Sequence, residues 1–386
     1  MTMKSHGQFA LVMAALCPGI AWGLDPQHID VYGFDFTPTL ELSESYDDNF
    51  RELEHNIQSS LVTKLAPSFE LKAEDRNSAT RLIWQPTQYI YHEAPDASNT
   101  AQRLSLGSIM EITDRHRLEL EVEARKYERT DSTAVDGIND KIRSDHVDGI
   151  YTYGARSAAN QIELRANFAQ LRYDNSNGIN ADKERNTTGL TSIWYHRIGS
   201  NTRGLLEYDH TIFDYLQSNS RRSSKSDAVL AGAEWDFSAR TTGKVRIGFE
   251  HKNFDDNSVK DLNNPAWQID LQWKPRTYST FTFVARQTMA EGDDGSDAVK
   301  ITNTFLGWRH AWTKRITTIA EVGLARNVYE GQNRTDNLRD YNLDLVYAMR
   351  HWLDIELGYR YRNDNSDADN QSFTRHVYLI SFKASL

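Results

Sequence analysis

The sequence predicts an all-β protein: a transmembrane antiparallel up-and-down β-barrel of about 18 strands, with short periplasmic turns and longer extracellular loops. Three observations predict it. Apolar and charged residues alternate with period two, tight turns alternate with long polar stretches, and aromatic residues cluster near both kinds of break. Intrinsic disorder is excluded, because disordered chains are poor in aromatics, and here aromatics make up 11% of 386 residues.

The N-terminus has the layout of a secretory signal peptide. Lys4 precedes an apolar core over residues 9–15, and a small-residue cleavage site follows near residues 21–23. We therefore expect a cleaved signal peptide over 1–23 and a single outer-membrane barrel domain over 24–386. The expected location is the bacterial outer membrane.

Cysteine content and charge exclude several classes of protein. The single cysteine, Cys17, lies inside the predicted signal peptide, so the mature chain has neither a disulfide nor thiol chemistry. The net charge is −10, which makes nucleic-acid binding a poor fit. Beyond the N-terminus, no apolar run approaches the roughly 18–20 residues that a membrane-spanning helix needs.

Strict alternation runs through residues 117–125, 161–168, 267–274 and 353–361. Successive side chains of a strand point to opposite faces, so each segment has one apolar and one ionic face. In a membrane barrel the apolar face contacts lipid and the polar face lines the lumen. The predicted lumen-lining residues are Arg117, Glu119, Glu121, Glu123, Arg125, Glu163, Arg165, Arg246, Asp270, Gln272, Asp354, Glu356, Arg360 and Arg362.

The breaks between strands fall into two series. Tight-turn signals recur about every 40 residues, which is the spacing of consecutive hairpins. They lie near Asp114, Ser157, Gly199, Ala239, Pro275, Thr313 and His351. Longer polar stretches cover 51–56, 94–99, 130–143, 174–186, 216–226, 255–264, 291–298, 330–338 and 363–371. A soluble sandwich or propeller would not alternate short and long connections. We interpret 130–143 as the longest outer loop and expect it to fold inward and narrow the pore.

Aromatic residues predict two belts at the membrane interfaces. Tryptophans lie near the tight turns, and tyrosines lie where the long loops begin. The predicted girdle consists of Trp194, Trp235, Trp273, Trp312, Trp352, Tyr127, Tyr173, Tyr215, Tyr329 and Tyr361.

The sequence contains no pattern that predicts catalysis. Glu119, Glu121 and Glu123 stand roughly 6–7 Å apart on one strand face, within the range of some glycoside hydrolase carboxylate pairs. A water-filled lumen needs such ionic side chains on every strand, so we interpret them as lumen lining. The acidic loops lack the EF-hand pattern, and the histidines lack zinc-type spacing. We expect no catalytic residue, no metal, no cofactor and no enzymatic activity.

The last strand indicates how the protein reaches its membrane. Residues 376–386 alternate apolar positions up to Leu386 at the terminus. This pattern resembles the signal read by the bacterial barrel-assembly machinery, in which Phe is the usual last residue. The expected partners are therefore this machinery and outer-membrane lipid.

Residues 37–50 carry a more specific resemblance. This first strand ends in Tyr46-Asp47-Asp48-Asn49, and a second strand reaches Leu65-Ala66-Pro67-Ser68-Phe69. The two segments resemble the outer-membrane β-barrel porin family associated with exopolysaccharide operons (VpsM/EpsL-like). The resemblance implies a barrel that helps a polysaccharide to leave the cell, beside a periplasmic polysaccharide export protein. It carries over no catalytic residue.

We therefore expect a channel that passes a hydrophilic solute, with a secreted polysaccharide or oligosaccharide as the preferred cargo. A general or sugar-selective diffusion porin is the first alternative. An outer-membrane barrel enzyme of the lipase or protease type is the second, and a structural or adhesive barrel with a closed lumen is a third.

Overall fold

The computed structural model describes residues 28–131, 137–238, 240–292 and 295–385, and they form 19 antiparallel strands. Among the described residues, no helix has the length and apolarity needed to cross a membrane. The strands are β1 (Ile29–Val31), β2 (Phe34–Asp47), β3 (Ser60–Asp75), β4 (Ser78–Tyr91), β5 (Asn99–Thr113), β6 (His116–Arg129), β7 (Asp140–Tyr153), β8 (Asn160–Tyr173), β9 (Arg185–Arg197), β10 (Thr202–Tyr215), β11 (Ser224–Ser238), β12 (Thr241–Phe254), β13 (Leu262–Arg276), β14 (Ser279–Ala290), β15 (Ala298–Ala311), β16 (Ile316–Glu330), β17 (Arg334–Arg350), β18 (Leu353–Ser366) and β19 (Phe373–Ser385). Three short 3-10 helices, Pro95–Ala97, Ser176–Gly178 and Ala181–Lys183, lie in the connections.

The sheet closes on itself. Each strand from β2 to β19 pairs with its neighbours in the chain, and β19 pairs with β2 from Val377 opposite Asp47 to Ser385 opposite Thr39. Closure lets backbone N–H and C=O groups bond between strands rather than face lipid. The predicted all-β barrel of about 18 strands is confirmed. The short β1, outside the predicted set, forms a hairpin with the start of β2.

Most connections fall where the alternation places them, but three differ. Pro275 lies within β13, and the turn follows at residues 277–278. The polar stretch 330–338 is reduced to a three-residue connection, because the charged residues from Arg334 onward continue the pairing of β17 with β16. The third outer loop covers 130–139, since β7 begins at Asp140, and the first outer connection, 48–59, is longer. Residues 132–136 and the predicted signal peptide lie outside the described residues.

The two faces of the sheet differ as the alternation predicts. Val122, Val147 and Phe168 lie directly opposite one another on β6, β7 and β8, and all three are exposed on the outside. On β10, Leu206 is exposed whereas Glu207 beside it is buried on the inside. Side chains on the concave inner face of the barrel pack closely together, and most of them are polar. The barrel thus presents an apolar exterior and an ionic interior.

Two glycines permit a close approach between β11 and β12. A Cβ atom on Gly232 would overlap the carbonyl oxygen of Val245, and one on Gly248 would overlap that of Val229. Glycine in a barrel strand marks such sites of close backbone approach or sharp bending. We infer that these residues allow the barrel to curve at this position.

Candidate functional site: the barrel interior

The structure places all the predicted lumen-lining residues on the inner face. Each shares its strand parity with buried or half-buried polar neighbours, while the residues between them are apolar and have the opposite, outward parity. On β6, for example, Glu123 is buried whereas Val122 is exposed. These residues do not converge on one point. They are distributed around the wall and form local ion pairs, some with one another and some with residues that the sequence does not single out.

On β6 the three glutamates lie in one line along the wall. Glu123 accepts a hydrogen bond from Arg103 of β5, with Nε 2.5 Å from Oε2, and also pairs with Arg125. Arg117 lies 3.0 Å from Glu119 in the same line. Cations and carboxylates thus pair both along β6 and across to β5. The arrangement has the character of a solvated ionic wall rather than of a paired acid and base.

Arg246 connects strands that are not adjacent. From β12 its guanidinium bonds Glu207 on β10 and Gln268 on β13. Arg360 on β18 pairs with Asp344 of the adjacent strand β17 and lies 3.4 Å from Glu356 of its own strand. On β8, Arg165 lies 2.5 Å from Glu163.

At the outer end the first outer loop, residues 48–59, folds over the interior. Arg375 of β19 lies 2.6 Å from Asp47 and 2.9 Å from Glu52 of this loop. Arg362 of β18 lies 2.7 Å from Asp340 and 3.3 Å from the same Glu52 carboxylate. Glu52 is only 2% exposed. One loop carboxylate therefore fastens to two inward-facing arginines, and we call these five residues the Glu52 cluster.

An apolar contact and the polar contacts of Arg51 also hold the first outer loop over the interior. Phe50 is fully buried, with its ring centroid 4.9 Å from that of Tyr91. Arg51 donates to the Thr130 carbonyl at 3.2 Å and pairs with Asp96 at 2.9 Å, so the first three outer loops are joined. Among the described residues, the first outer loop folds inward, and Thr130 of the third outer loop is buried against it. The expected inward fold of 130–143 rests in part on residues 132–136, which lie outside the described residues.

Four tryptophans of the predicted girdle lie on the outer face. Trp194, Trp273 and Trp312 are exposed there, close to the short turns, whereas Trp352 is exposed in the turn between β17 and β18 itself. Trp235 lies against Gly243 of the next strand, on that same face. Tyr361 also faces outward, with its ring 5.6 Å from that of Tyr341.

The other four tyrosines occupy the inner face, and their assignment to a lipid-facing belt is wrong. Tyr173, Tyr215 and Tyr329 are buried, and Tyr127 lies on the same face of β6 as the buried Glu123. The Tyr215 hydroxyl donates to Glu291 at 2.7 Å, and that of Tyr329 donates to Asp336 at 2.8 Å. These rings lie at the outer strand ends and pack beneath the loops. The odd or even position of a residue along its strand can be read from the sequence, and it distinguishes these tyrosines from the tryptophans.

Two adjoining cavities lie at the opposite, periplasmic end of the interior. They measure about 340 and 440 Å³ and share Arg156 and Glu234. Arg203 donates to Glu234 at 3.0 Å, and its guanidinium carbon lies 3.9 Å from the centroid of the Tyr195 ring. Other polar lining residues are Gln161, Lys244, Gln268, Asp270 and Gln272. Within the described ranges, no group of three or more His, Cys, Asp or Glu side chains could hold a metal ion.

Comparison with known proteins identifies the family. The family described as Putative beta-barrel porin 2 matches residues 24–386. The chain belongs to this porin family. It is accordingly an outer-membrane β-barrel porin, and the expected outer-membrane location is confirmed at that level. A comparison with curated proteins found no match.

Solved structures of the same architecture are distant in sequence. The outer membrane protein opdK from Pseudomonas aeruginosa is similar with a TM-score of 0.51 and 9% identity, over 91% of this chain and 99% of opdK. A BenF-like porin from Pseudomonas fluorescens Pf-5 gives 0.50 and 11%, over 91% and 99%. At these identities the likeness supports the fold alone. The family and the second of these neighbours are described as porins rather than as enzymes.

The Glu52 cluster predicts that the first outer loop is held in place by charge. Replacing Glu52→Gln leaves Arg362 and Arg375 without their shared loop carboxylate, which costs on the order of 3 kcal/mol for a buried pair. We expect faster proteolysis of the loop and higher single-channel conductance. Glu54→Gln is the control, because Glu54 lies on the same loop but contacts the Ser372 backbone and His55 rather than an arginine. Equal conductance for both variants would contradict the role of the cluster.

The loop is also expected to respond to pH through Asp131. Burial and the negative charge of Glu52 raise the pKa of Asp131 from 3.8 to about 6. The packed loops therefore bind this proton more tightly than released loops would, so packing is favoured below pH about 6 and weakened as pH rises through that value. Conductance should increase between pH 5 and pH 7.5, and Asp131→Asn should abolish the increase.

Asp256→Asn provides the control for the pH experiment. Asp256 lies on a different outer loop, and hydrogen bonds from Ser258 lower its pKa below its usual value. This variant should retain the pH dependence of the natural chain. Conductance that does not change with pH in the natural chain would show that Asp131 does not control the loop.

Proposed function

We propose that this porin exports a hydrophilic polysaccharide across the outer membrane. The observation that carries the proposal is the difference between the two ends of the interior. The described cavities lie at the periplasmic turns, whereas the first outer loop covers the extracellular end through the Glu52 cluster. A channel that receives its cargo from the periplasm needs its contact surface at that end.

The chemistry of the periplasmic cavities suits a sugar polymer. Gln268, Asp270 and Gln272 are planar polar groups that can exchange hydrogen bonds with hydroxyls, and they stand beside cationic Lys244. The cavities have the size of ordinary small-ligand pockets, which span about 300–1,000 Å³. Paired charges of both signs along the wall can solvate a polar chain without holding it tightly. The resemblance of residues 37–50 and 65–69 to exopolysaccharide-associated porins supports the same cargo.

The proposal includes two protein partners. A periplasmic polysaccharide export protein would deliver the polymer at the short turns, near Arg156. The barrel-assembly machinery would recognise β19, where Tyr378, Ile380 and Phe382 are exposed on the outer face. Leu386 itself lies outside the described residues.

A general or sugar-selective diffusion porin is the second candidate function. The ionic wall and the family membership favour it equally. It would conduct small ions steadily and would be dispensable for polymer secretion. A lipase or protease barrel would instead need a nucleophile and base placed together. Glu119 and Glu123 on β6 are engaged with arginines instead.

Deletion of the gene, with assay of cell-bound and released exopolysaccharide, tests the export proposal. We expect the deletion to abolish most of the released polymer and the natural chain to restore it. Gln272→Trp places a bulky ring in the periplasmic cavity and should restore little polymer. Ile269→Trp, on the outer face of the same strand and outside the lining of the cavity, should restore it fully. Normal polymer output from the deletion strain would contradict export and favour the diffusion porin.

A further inference from the structure

Three cations lie side by side on the outer face, close to the extracellular end of the barrel. Lys126 of β6 is directly opposite Arg143 of β7, and Arg143 is directly opposite Arg172 of β8. We call these three residues the cationic row. Directly opposite residues on antiparallel strands bring their Cα atoms within about 4.5–5.5 Å. Like charges so placed destabilise a sheet unless an anion lies between them.

The row faces outward at the level of the membrane boundary. Its three residues lie on the same face of the sheet as Val122, Val147 and Phe168, the exposed apolar residues of the same three strands. Those residues lie four positions closer to the membrane centre, or about 13 Å along each strand. Long Lys and Arg side chains at such a level extend towards lipid headgroups.

Protein groups neutralise the row only in part. Lys126 lies 3.3 Å from Asp174, in a pair whose lysine is 65% exposed. Arg172 donates to the carbonyls of Leu171 and Arg185 and to the Asn186 side chain, which leave its charge uncompensated. Arg143 is exposed and is within 4.0 Å of no carboxylate among the described residues. The carboxylate nearest to Arg143 along its strand face is Asp145, two positions towards the membrane centre.

Another group of outward cations shows what distinguishes the row. Lys300, Arg326 and Arg339 also lie near the extracellular end, on β15, β16 and β17. Their direct partners are uncharged: Val328 faces Lys300, Thr302 faces Arg326 and Leu324 faces Arg339. That group is therefore spread diagonally, whereas the row concentrates its charges on directly opposite positions.

We propose that the cationic row is a binding site for the phosphorylated headgroup of an outer-leaflet glycolipid. The headgroup phosphate accepts hydrogen bonds from the Lys126 ammonium and the Arg143 guanidinium, and Arg172 contributes a third positive charge. The acyl chains of the same lipid lie against Val122, Val147 and Phe168. A phosphorylated glycolipid thus matches both the cations at the membrane boundary and the apolar residues nearer the membrane centre. This site is independent of what passes through the lumen.

The test uses the whole barrel purified in detergent, with bisphosphorylated lipid A as the probe and the same lipid without phosphates as comparison. We expect the phosphorylated form to bind more tightly to the natural chain. The variant Lys126→Gln, Arg143→Gln, Arg172→Gln should bind it at least tenfold more weakly, since each cation near an anionic headgroup contributes about a fivefold effect. Lys126→Arg, Arg143→Lys, Arg172→Lys keeps the charges and should retain the binding.

Three arginines of the periplasmic turns provide the matched control. Arg76→Gln, Arg115→Gln, Arg315→Gln removes the same charge from exposed positions at the other end of the barrel, and should bind as the natural chain does. The gel shift of the folded barrel verifies that each variant is folded. Unchanged lipid A binding in the glutamine variant of the row would overturn the proposal. So would equal binding of the dephosphorylated lipid, or occupation of the row by inorganic phosphate with no preference for the lipid.

Discussion

Pairing between β19 and β2 is the interaction on which the rest of the structure depends. In lipid, an unpaired backbone N–H or C=O has no water to bond, so a sheet can span the membrane only when it closes. Closure then fixes the two faces of every strand. One face meets lipid and is apolar, and the other encloses the interior and carries charge. The Glu52 cluster is a direct consequence, because it joins residues of β2, β17, β18 and the first outer loop around Arg375.

How far the structure could be predicted from the sequence follows from this constraint. Strand parity is a local property, so the inner position of Glu121 and the outer position of Leu120 could both be read from β6 alone. The same rule applied to Tyr215 would have placed it inside, with Glu207 of its own strand. Proximity to a loop was the weaker guide, because aromatic rings at strand ends pack under loops as well as against lipid.

Contacts that depend on closure could not be predicted in this way. Glu52 and Arg375 are separated by 323 positions, and neither belongs to a periodic pattern that relates the two. Loop lengths could not be predicted from polarity either, because strand pairing extends beyond the lipid-facing apolar residues. Arg334 and Asp336 continue β17 although they are charged, since each bonds the other and Tyr329 beneath the loops. Polarity therefore marked the limit of the lipid-facing surface rather than the end of the strand.

The interior and exterior use the same side chains for different purposes. Inside, several arginines pair with carboxylates, as Arg103 does with Glu123 of the neighbouring strand, so paired charges of both signs make the wall polar. Outside, Lys126, Arg143 and Arg172 are concentrated at one level and only partly matched. The first arrangement suits a mobile polar cargo, and the second suits a stationary anionic lipid.

The alternation of faces is tested most directly by cysteine labelling along β6. The chain has one cysteine, Cys17, within the predicted signal peptide, so a cysteine introduced at each of Leu118, Glu119, Leu120 and Glu121 in turn can be labelled without interference. The reagent is a charged thiol probe that cannot cross the membrane, applied to the barrel in vesicles. Positions 119 and 121 should react, and positions 118 and 120 should not. Equal reactivity at neighbouring positions would contradict an aqueous interior enclosed by a lipid-facing exterior.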